Sequence, residues 1–324
     1  MRGGWSCVTS AGISDAHTQP IIVTNALDPT SRDKPGAYLG RTLSSATRRV
    51  RCNDQLKFMI IKNDSEYRAY NALNFSSLKS ILASPRHYQA ALKAPKKEPS
   101  KAMFLGTMVH SRCLEKREEN YAVMPPDLDG RTKEGKAWKE ANAGKTCITQ
   151  DEYAQYKRMV GAVEANADVQ YLLSKAVDCE IGIVQKYRET TIKGKIDCLI
   201  KDENGKYAVL DLKTTQSCDP HEFSRSACSF KYFMQAVWYQ SLVALEYELD
   251  YQPPYYWLTV ENSEAADVCI FQPPADGLEL GQKQMEKALE LHAECTKSGK
   301  WQGFGNGIIE LDVPIWEKRK YGLI

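Results

Sequence analysis

Two aspartates and a lysine stand in apolar runs on either side of a short polar turn. Asp197 lies in the first run, and Asp211 and Lys213 lie in the second. The turn between them, residues 202–206, has the composition of a three-residue hairpin loop in which Gly205 adopts the left-handed conformation. In that register Asp197 faces Asp211 across the two strands, and Lys213 shares their side of the sheet.

The opposite side of this predicted hairpin is entirely apolar and consists of Ile196, Cys198, Ile200, Ala208, Leu210 and Leu212. Such a face packs against a protein core, which favours two interior strands. The prediction depends on the loop length, because a two-residue Asn-Gly loop would send the two aspartates to opposite faces.

Two facing carboxylates repel each other unless a positive charge lies between them. At a solvated sheet edge Asp and Lys would simply pair, and the cluster would have no chemical role. In strands this apolar, however, unpaired charge is costly, and a bound hard cation resolves the conflict. Mg²⁺ prefers carboxylate oxygens as ligands. The sequence therefore predicts a divalent metal site at the hairpin.

Asp197, followed after a hairpin by Asp211-Leu212-Lys213, resembles the D…(D/E)-x-K core of the PD-(D/E)xK nuclease superfamily. Four further features occur in the order found in RecE-type (exonuclease eight-like) phage and prophage exonucleases, relatives of the RecB nuclease domain. These are residues 74–79 leading to 84–88, residues 104–110, Glu180, and residues 235–239. The similarity spans about residues 73–256. It implies an α/β fold with a restriction-endonuclease-like core, in which helices flank a mixed central sheet.

The resemblance also implies roles for the hairpin residues. Asp197, Asp211 and the backbone carbonyl of Leu212 would hold one or two divalent cations, Mg²⁺ or alternatively Mn²⁺. The bound metal would lower the pKa of water and neutralise charge on the phosphate. Lys213 would position the attacking water or stabilise the pentacovalent phosphate.

Four other residues each allow two interpretations. His110 lies on an apolar helix face, where it is either a satisfied core residue or, as in RecE-like enzymes, a metal ligand or its neighbour. Glu180 is either a third acidic group at the metal or a charge at a strand edge. Gln235 and Tyr239, four residues apart on one helix, are either a half-buried polar pair or, by resemblance, orient the substrate phosphate or Lys213.

The activity implied by resemblance is metal-dependent hydrolysis of linear double-stranded DNA, from 5′ to 3′, which produces single strands for phage-type recombination. The implied partners are duplex DNA ends, a single-strand annealing recombinase, and further copies of the chain in a ring. Two alternatives remain open. One is a structure-specific or endonucleolytic relative, and the other is a catalytically inactive DNA-binding recombination partner, against which the intact D…D-x-K argues.

Composition excludes some classes of protein. The chain has 324 residues, 43% of them hydrophobic, and a net charge of +2, so no global basic field indicates nucleic acid. Its ten cysteines are irregularly spaced and no signal peptide is evident, which favours reduced thiols in a cytoplasm. No apolar run is long enough to span a bilayer, so we expect no membrane association.

Two domains are expected: a flexible N-terminal segment, residues 1–60, and a RecE-like nuclease domain, residues 61–324. The first segment carries eight Lys and Arg against four Asp and Glu, and little periodicity. It is therefore either a leader without fixed structure or an arm that touches DNA phosphates.

Periodicity and capping residues predict the remaining elements. A helix begins near Ser76 and ends or restarts at Pro85. Further helices are predicted over residues 101–115, 149–176, 230–248 and 274–297, and strands over 179–188, 191–201, 206–214, 254–261, 268–272 and 308–313. Four basic residues of the first two strands either line a groove for the phosphate backbone or are ordinary exposed charges; they are Lys186, Arg188, Lys193 and Lys195.

Overall fold

The computed structural model describes residues 59–95, 99–305 and 307–324. The expectation for residues 1–60 therefore lies outside the described residues, except at Met59 and Ile60. These two residues begin the first strand, which extends to Ile61.

The described residues contain nine β-strands: β1 Met59–Ile61, β2 Leu73–Asn74, β3 Tyr121–Val123, β4 Thr146–Ile148, β5 Ala176–Tyr187, β6 Thr190–Lys201, β7 Tyr207–Thr215, β8 Tyr255–Glu261 and β9 Val268–Phe271. Seven of them form one mixed sheet in the order β1-β5-β6-β7-β8-β9, with β2 pairing with β6. Strands β5, β6 and β7 are an antiparallel meander, and β8 joins β7 in parallel. A small separate sheet contains β3 and β4.

Helices cover both faces of the large sheet. Within the described ranges they are α1 Asp64–Ala69, α2 Phe75–Leu78, α3 Pro85–Lys93, α4 Lys101–Leu114, α5 Lys133–Ala141, α6 Gln150–Ala165, α7 Ala167–Ser174, α8 Pro220–Phe230, α9 Tyr232–Glu246, α10 Ala275–Ser298 and α11 Ile315–Lys320. A 3₁₀ turn, Lys79–Leu82, follows α2 directly. None of these helices combines the length and apolar character of a membrane span.

Local capping explains most of the helix boundaries. Thr149 and Glu152 form the reciprocal capping box that opens α6. The single helix predicted to continue to residue 176 is wrong, because the extended backbone of Asn166 ends α6 and its side chain caps α7. The predicted strand over residues 308–313 is also wrong, since these residues pair with no strand of the described chain.

The hairpin between β6 and β7 has the predicted register. Lys201 pairs with Tyr207, and the pairing continues to Cys198 and Leu210. Gly205 has a φ of 77°, and the Asp202 N–H donates to the Lys206 carbonyl over 2.9 Å. The three-residue loop is therefore confirmed, and the two-residue alternative is excluded.

Two hydrophobic clusters lie on opposite faces of the large sheet. The α9-side cluster is built by α9, α10 and the sheet, and it includes Ile181, Ile196, Val209, Trp238 and Trp257. The α4-side cluster is built by α4, α6 and the sheet, and it includes Val109, Met159, Cys198, Leu210 and Leu258. Successive strand residues enter opposite clusters, as Val209 and Leu210 do, which reflects the two-residue period of a strand.

Helices α9 and α10 pack closely because a glycine lies at their contact. A Cβ at Gly281 of α10 would overlap the backbone carbonyl of Phe233 in α9. Backbone cannot yield as a flexible side chain can, so this position requires the absence of a side chain.

We predict that Gly281→Ala destabilises the fold by about 2 kcal/mol or more, because the overlap forces α9 and α10 apart. Urea-induced unfolding would measure the change. Gly161→Ala is the matched control, since Gly161 also lies inside a helix but has no neighbour within 4 Å of the added Cβ. That variant should gain about 0.5–1 kcal/mol from helix propensity. Equal effects at the two positions would contradict the packing argument.

Candidate metal-dependent active site

The two aspartates lie where β6 and β7 stop pairing. The ladder ends at Cys198 and Leu210, one residue short of Asp197 and Asp211. Beyond this point the Leu212 N–H donates to the Asp197 Oδ2 over 3.1 Å. Asp197 therefore occupies the gap between the strands, and its carboxylate replaces a backbone acceptor.

Glu180 on β5 disturbs the neighbouring ladder at the same level. It stands in register opposite Asp197 but is not paired, and its φ of 57° lies in the left-handed region. Both strands change faces there: Cys179 and Cys198 contact the α4-side cluster, whereas Ile181 and Ile196 enter the α9-side cluster. The expectation that Ile196 shares a face with Cys198 is therefore wrong, because simple alternation does not continue through this irregularity.

His110 connects Glu180 with Asp197. Its Nε2 lies 2.9 Å from the Asp197 Oδ2, and its Nδ1 lies 2.8 Å from the Glu180 Oε1. Burial lowers the pKa of His110, but the two carboxylates more than offset this and raise the pKa to about 10. In the absence of a metal, the imidazole is thus a cation between two anions. Because of His110 and Lys213, the pKa of Asp197 is lowered despite burial.

Asp211 is fully buried, and Lys213 contacts its Oδ2. The Gln235 Nε2 donates to the Asp211 Oδ1 from α9 over 3.4 Å. Burial raises the pKa of Asp211 to about 7, although Lys213 opposes the shift. The pKa of Lys213 is itself raised, since the attraction of Asp211 and Asp197 exceeds the effect of burial. The Lys213 Nζ also lies 5.1 Å from the centroid of the Tyr232 ring.

Tyr239 lies one helical turn beyond Gln235 and is buried. Burial raises its pKa well above the usual value, and the nearby Asp197 and Asp211 act in the same direction. A hydrogen bond from Gln235 opposes this shift. Gln235 and Tyr239 therefore lie side by side behind the acidic pair. Among the described contacts, Gln235 donates a hydrogen bond to Asp211, whereas Tyr239 has none to either aspartate.

Lys195 and Lys193 are not ordinary exposed charges, and both are engaged inside the protein. The Lys195 Nζ lies 2.6 Å from the Glu180 Oε2 and 3.3 Å from the Asp64 Oδ1. The buried Lys193 donates to the backbone carbonyls of Tyr67 and Tyr70. Both lysines therefore have partners within the protein, and a role for them in a phosphate groove stays a prediction.

The other two basic residues, Lys186 and Arg188, are exposed, and Arg188 pairs with Glu286.

Sequence reasoning assigned no role to three residues near the site. Asp64 on α1 forms an ion pair with Lys195. Tyr255 is buried on β8, close enough to Asp211 for that charge to raise its pKa. Glu115 directly follows α4. One carboxylate oxygen of Glu115 lies within 4.8 Å of possible ligand atoms of His110 and Glu180. Its position five residues after His110 is the one local signal that could have drawn attention to Glu115. The contacts of Asp64 and Tyr255 depend on long-range pairing, which no local signal reveals.

The donor set fits a hard divalent cation. The Asp211 carboxylate has no solvent exposure, and burial raises its pKa although Lys213 opposes the shift. A cation bound there would compensate the buried charge. Oxygen ligands of this type suit Mg²⁺, and the imidazole of His110 suits Mn²⁺ as well. The involvement of the Leu212 carbonyl, of His110 and of Glu180 as direct ligands remains a prediction.

The acidic pair and the lysine lie on an antiparallel meander, which is followed by a helix and a parallel strand. This combination defines a PD-(D/E)xK-type nuclease core. Residues 74–307 match the family described as a PDDEXK-like domain of unknown function (DUF3799). The match covers well over half of the chain, so the chain belongs to this family. It confirms the predicted superfamily and fold class.

A solved structure agrees with this fold. A crystal structure from Eubacterium rectale, named "Putative exonuclease", aligns with a TM-score of 0.50 and 13% sequence identity, over 76% of this chain and 92% of that chain. SSO0001 (16% identity, 58% of this chain and 86% of that chain) gives a TM-score of 0.26, and VC1899 from Vibrio cholerae (10% identity, 74% and 58%) gives 0.23. Scores this low support no argument. No curated protein matches the chain.

We predict that Mg²⁺ or Mn²⁺ raises the melting temperature of the chelator-treated protein, because a cation that binds only the folded state stabilises it. At a concentration 100 times the dissociation constant the gain is about 2.7 kcal/mol. Asp211→Asn should lose most of this gain, whereas Asp250→Asn, an exposed acid, should retain it. Thermal unfolding with and without cation measures both, and an unchanged wild-type melting temperature in millimolar cation would contradict the site.

The backbone at Glu180 allows a separate prediction. Because φ is positive there, Glu180→Gly should be more stable than Glu180→Ala by about 1 kcal/mol in urea unfolding. Lys186 provides the matched control, since it is exposed on the same strand and its φ is not positive. There the order should reverse, with alanine more stable than glycine. The same order at both positions would show that the left-handed conformation is not strained.

Proposed function

We propose that this protein is a metal-dependent exonuclease that hydrolyses the phosphodiester bonds of linear double-stranded DNA. One observation carries the proposal: a fully buried Asp211 lies between Lys213 and Gln235, at the end of a strand pair that brings Asp197 to the same gap. This arrangement concentrates oxygen ligands and one ammonium group in a few ångströms. Membership of a PDDEXK-like family supports nuclease chemistry for it.

Asp197, Asp211 and the Leu212 carbonyl would hold the cation, with His110 beside them. A divalent cation bound there lowers the pKa of water and neutralises the charge that builds on the phosphate. Lys213 then orients the attacking water or stabilises the pentacovalent phosphate. Gln235 fixes the Asp211 carboxylate, and Glu180 with Lys195 fixes the orientation of the imidazole of His110.

The finer assignments rest on the similarity to RecE-type exonucleases. We propose digestion from 5′ to 3′, a 5′-phosphate product, and a ring of subunits that encloses the duplex. The single strands produced would serve a single-strand annealing recombinase. We also propose that the protein acts in the cytoplasm, where the eight cysteines among the described residues would stay reduced.

The decisive test is digestion of end-labelled linear duplex and of closed circular DNA in Mg²⁺, Mn²⁺ or chelator. An exonuclease degrades the linear duplex with either cation and leaves the closed circle intact. Cutting of the circle would favour the endonucleolytic alternative, and no cutting of either substrate would favour an inactive DNA-binding protein. Duplexes with a 5′-phosphate or a 5′-hydroxyl, labelled at either end, would establish the polarity.

We predict that Asp211→Asn and Lys213→Met each lower kcat by about 10³-fold or more, which corresponds to about 4 kcal/mol of transition-state stabilisation. Initial rates on labelled linear duplex measure the loss, and circular dichroism confirms that the variants fold. Asp250→Asn should retain the wild-type rate. Unchanged digestion by Asp211→Asn in Mg²⁺ would place the active site elsewhere.

A further inference from the structure

Lys79 is a half-buried lysine at the end of α2, where the 3₁₀ turn begins. The turn is fixed to the α9-side cluster, because Phe75, Leu78 and Ile81 around it are almost completely buried. The backbone of Lys79 therefore has little freedom. Its ammonium group lies 5.1 Å from the centroid of the Phe75 ring, a cation–π distance that further restricts the side chain.

Among the described residues no carboxylate or carbonyl oxygen pairs with the ammonium group of Lys79. Every other lysine in the described ranges that is at least partly buried has such a partner: Lys175 has Glu203, Lys193 has backbone carbonyls, Lys195 has Glu180 and Asp64, Lys213 has Asp211, Lys231 has the Cys228 carbonyl, and Lys318 has Asp312. An ammonium group taken partly out of water without an oxygen partner is unfavourable.

The charge that acts on Lys79 from within the protein is another cation, that of Lys213. Burial lowers the pKa of Lys79, and the charge of Lys213 lowers it further. Asp211 compensates Lys213 directly, whereas no acidic group of the described residues forms an ion pair with Lys79. Lys79 therefore lies close enough to Lys213 to be affected by its charge, and an anion bound between the two ammonium groups would relieve both the burial and the repulsion.

We propose that Lys79 binds a phosphate of the nucleic-acid strand beside Lys213, and so positions the strand for cleavage. The inference rests on the proposed nuclease function, because phosphate is the anion that such a substrate brings to this site. The Phe75 ring holds the ammonium group of Lys79, and the buried residues of α2 fix its backbone. The site would thus have two cations, Lys213 from the D…D-x-K hairpin and Lys79 from outside it. Lys79 acts in binding and orientation, whereas the chemistry belongs to Lys213 and the acidic pair.

The test compares Lys79→Met with Lys79→Arg and with a matched control, Lys175→Met. Lys175 is also half-buried and lies 5.2 Å from the centroid of the Tyr171 ring, but Glu203 pairs with it near the hairpin loop. Fluorescence anisotropy would measure the binding of a labelled linear DNA duplex in chelator between 50 and 200 mM salt. Steady-state digestion in Mg²⁺ would give KM and kcat separately.

Lys79→Met should raise Kd and KM about 10-fold and lower the magnitude of the slope of log K against log salt by about 0.9, the value for one lost phosphate contact. Lys79→Arg, which keeps the charge, should recover most of the affinity. Lys175→Met should match the wild type in all three measurements. Thermal unfolding would show that each variant is folded; if Lys79→Met is not, Lys79→Gln replaces it in the same comparison.

Wild-type Kd, KM and salt slope in a folded, uncharged Lys79 variant would overturn the inference while the nuclease function stands. The inference would also be overturned if Lys79→Arg lost as much affinity as Lys79→Met, because the effect would then follow the shape of the side chain rather than its charge. Failure of the wild type itself to cleave DNA with any divalent cation would instead refute the proposed function, so the two failures are distinguishable.

Discussion

Placing two carboxylates inside an apolar sheet is the constraint on which the rest of this structure depends. Asp211 has no contact with solvent and Asp197 has little, so their charges must be compensated by groups that the fold brings to them. Helix α4 supplies His110 from one face of the sheet, and β7 supplies Lys213. Behind His110 the charges alternate through Glu180 and Lys195 to Asp64 on α1. The first helix of the described chain is thereby tied electrostatically to the centre of the site.

The same constraint explains why polar side chains appear within otherwise apolar layers. Gln235 interrupts the apolar surface of α9 where it meets Asp211, and Tyr239 follows it one turn later. His110 likewise interrupts the apolar surface of α4 where it meets Asp197. The acidic pair is thus held from both faces by helices whose remaining residues pack in the two hydrophobic clusters. Packing fixes the helices, and the fixed helices hold the side chains that compensate the charges.

Sequence reasoning succeeded where the deciding interactions are local. The loop at Gly205 determines the register of its own hairpin, and this register alone brings Asp197 and Asp211 together. The capping box at Thr149 is equally local. Reasoning failed where distant segments decide: the left-handed Glu180 reverses the faces of two strands, and Lys195 finds its partner in Asp64, far away in the sequence. Neither propensity nor periodicity contains information on such pairings.

The reversal at Glu180 has a consequence for how the chain can change in evolution. Because β5 and β6 exchange faces at the same step, the alternate positions that face one hydrophobic cluster before the crossing face the other after it: Ile192 and Ile196 of β6 lie in the α9-side cluster, whereas Cys198 and Ile200 lie in the α4-side cluster. Removal or addition of one residue beside the crossing in a single strand would turn that strand's remaining side chains towards the wrong layer. Length variation among relatives should therefore accumulate at the tip of the hairpin, while the spacing around Glu180 and Asp197 stays constant.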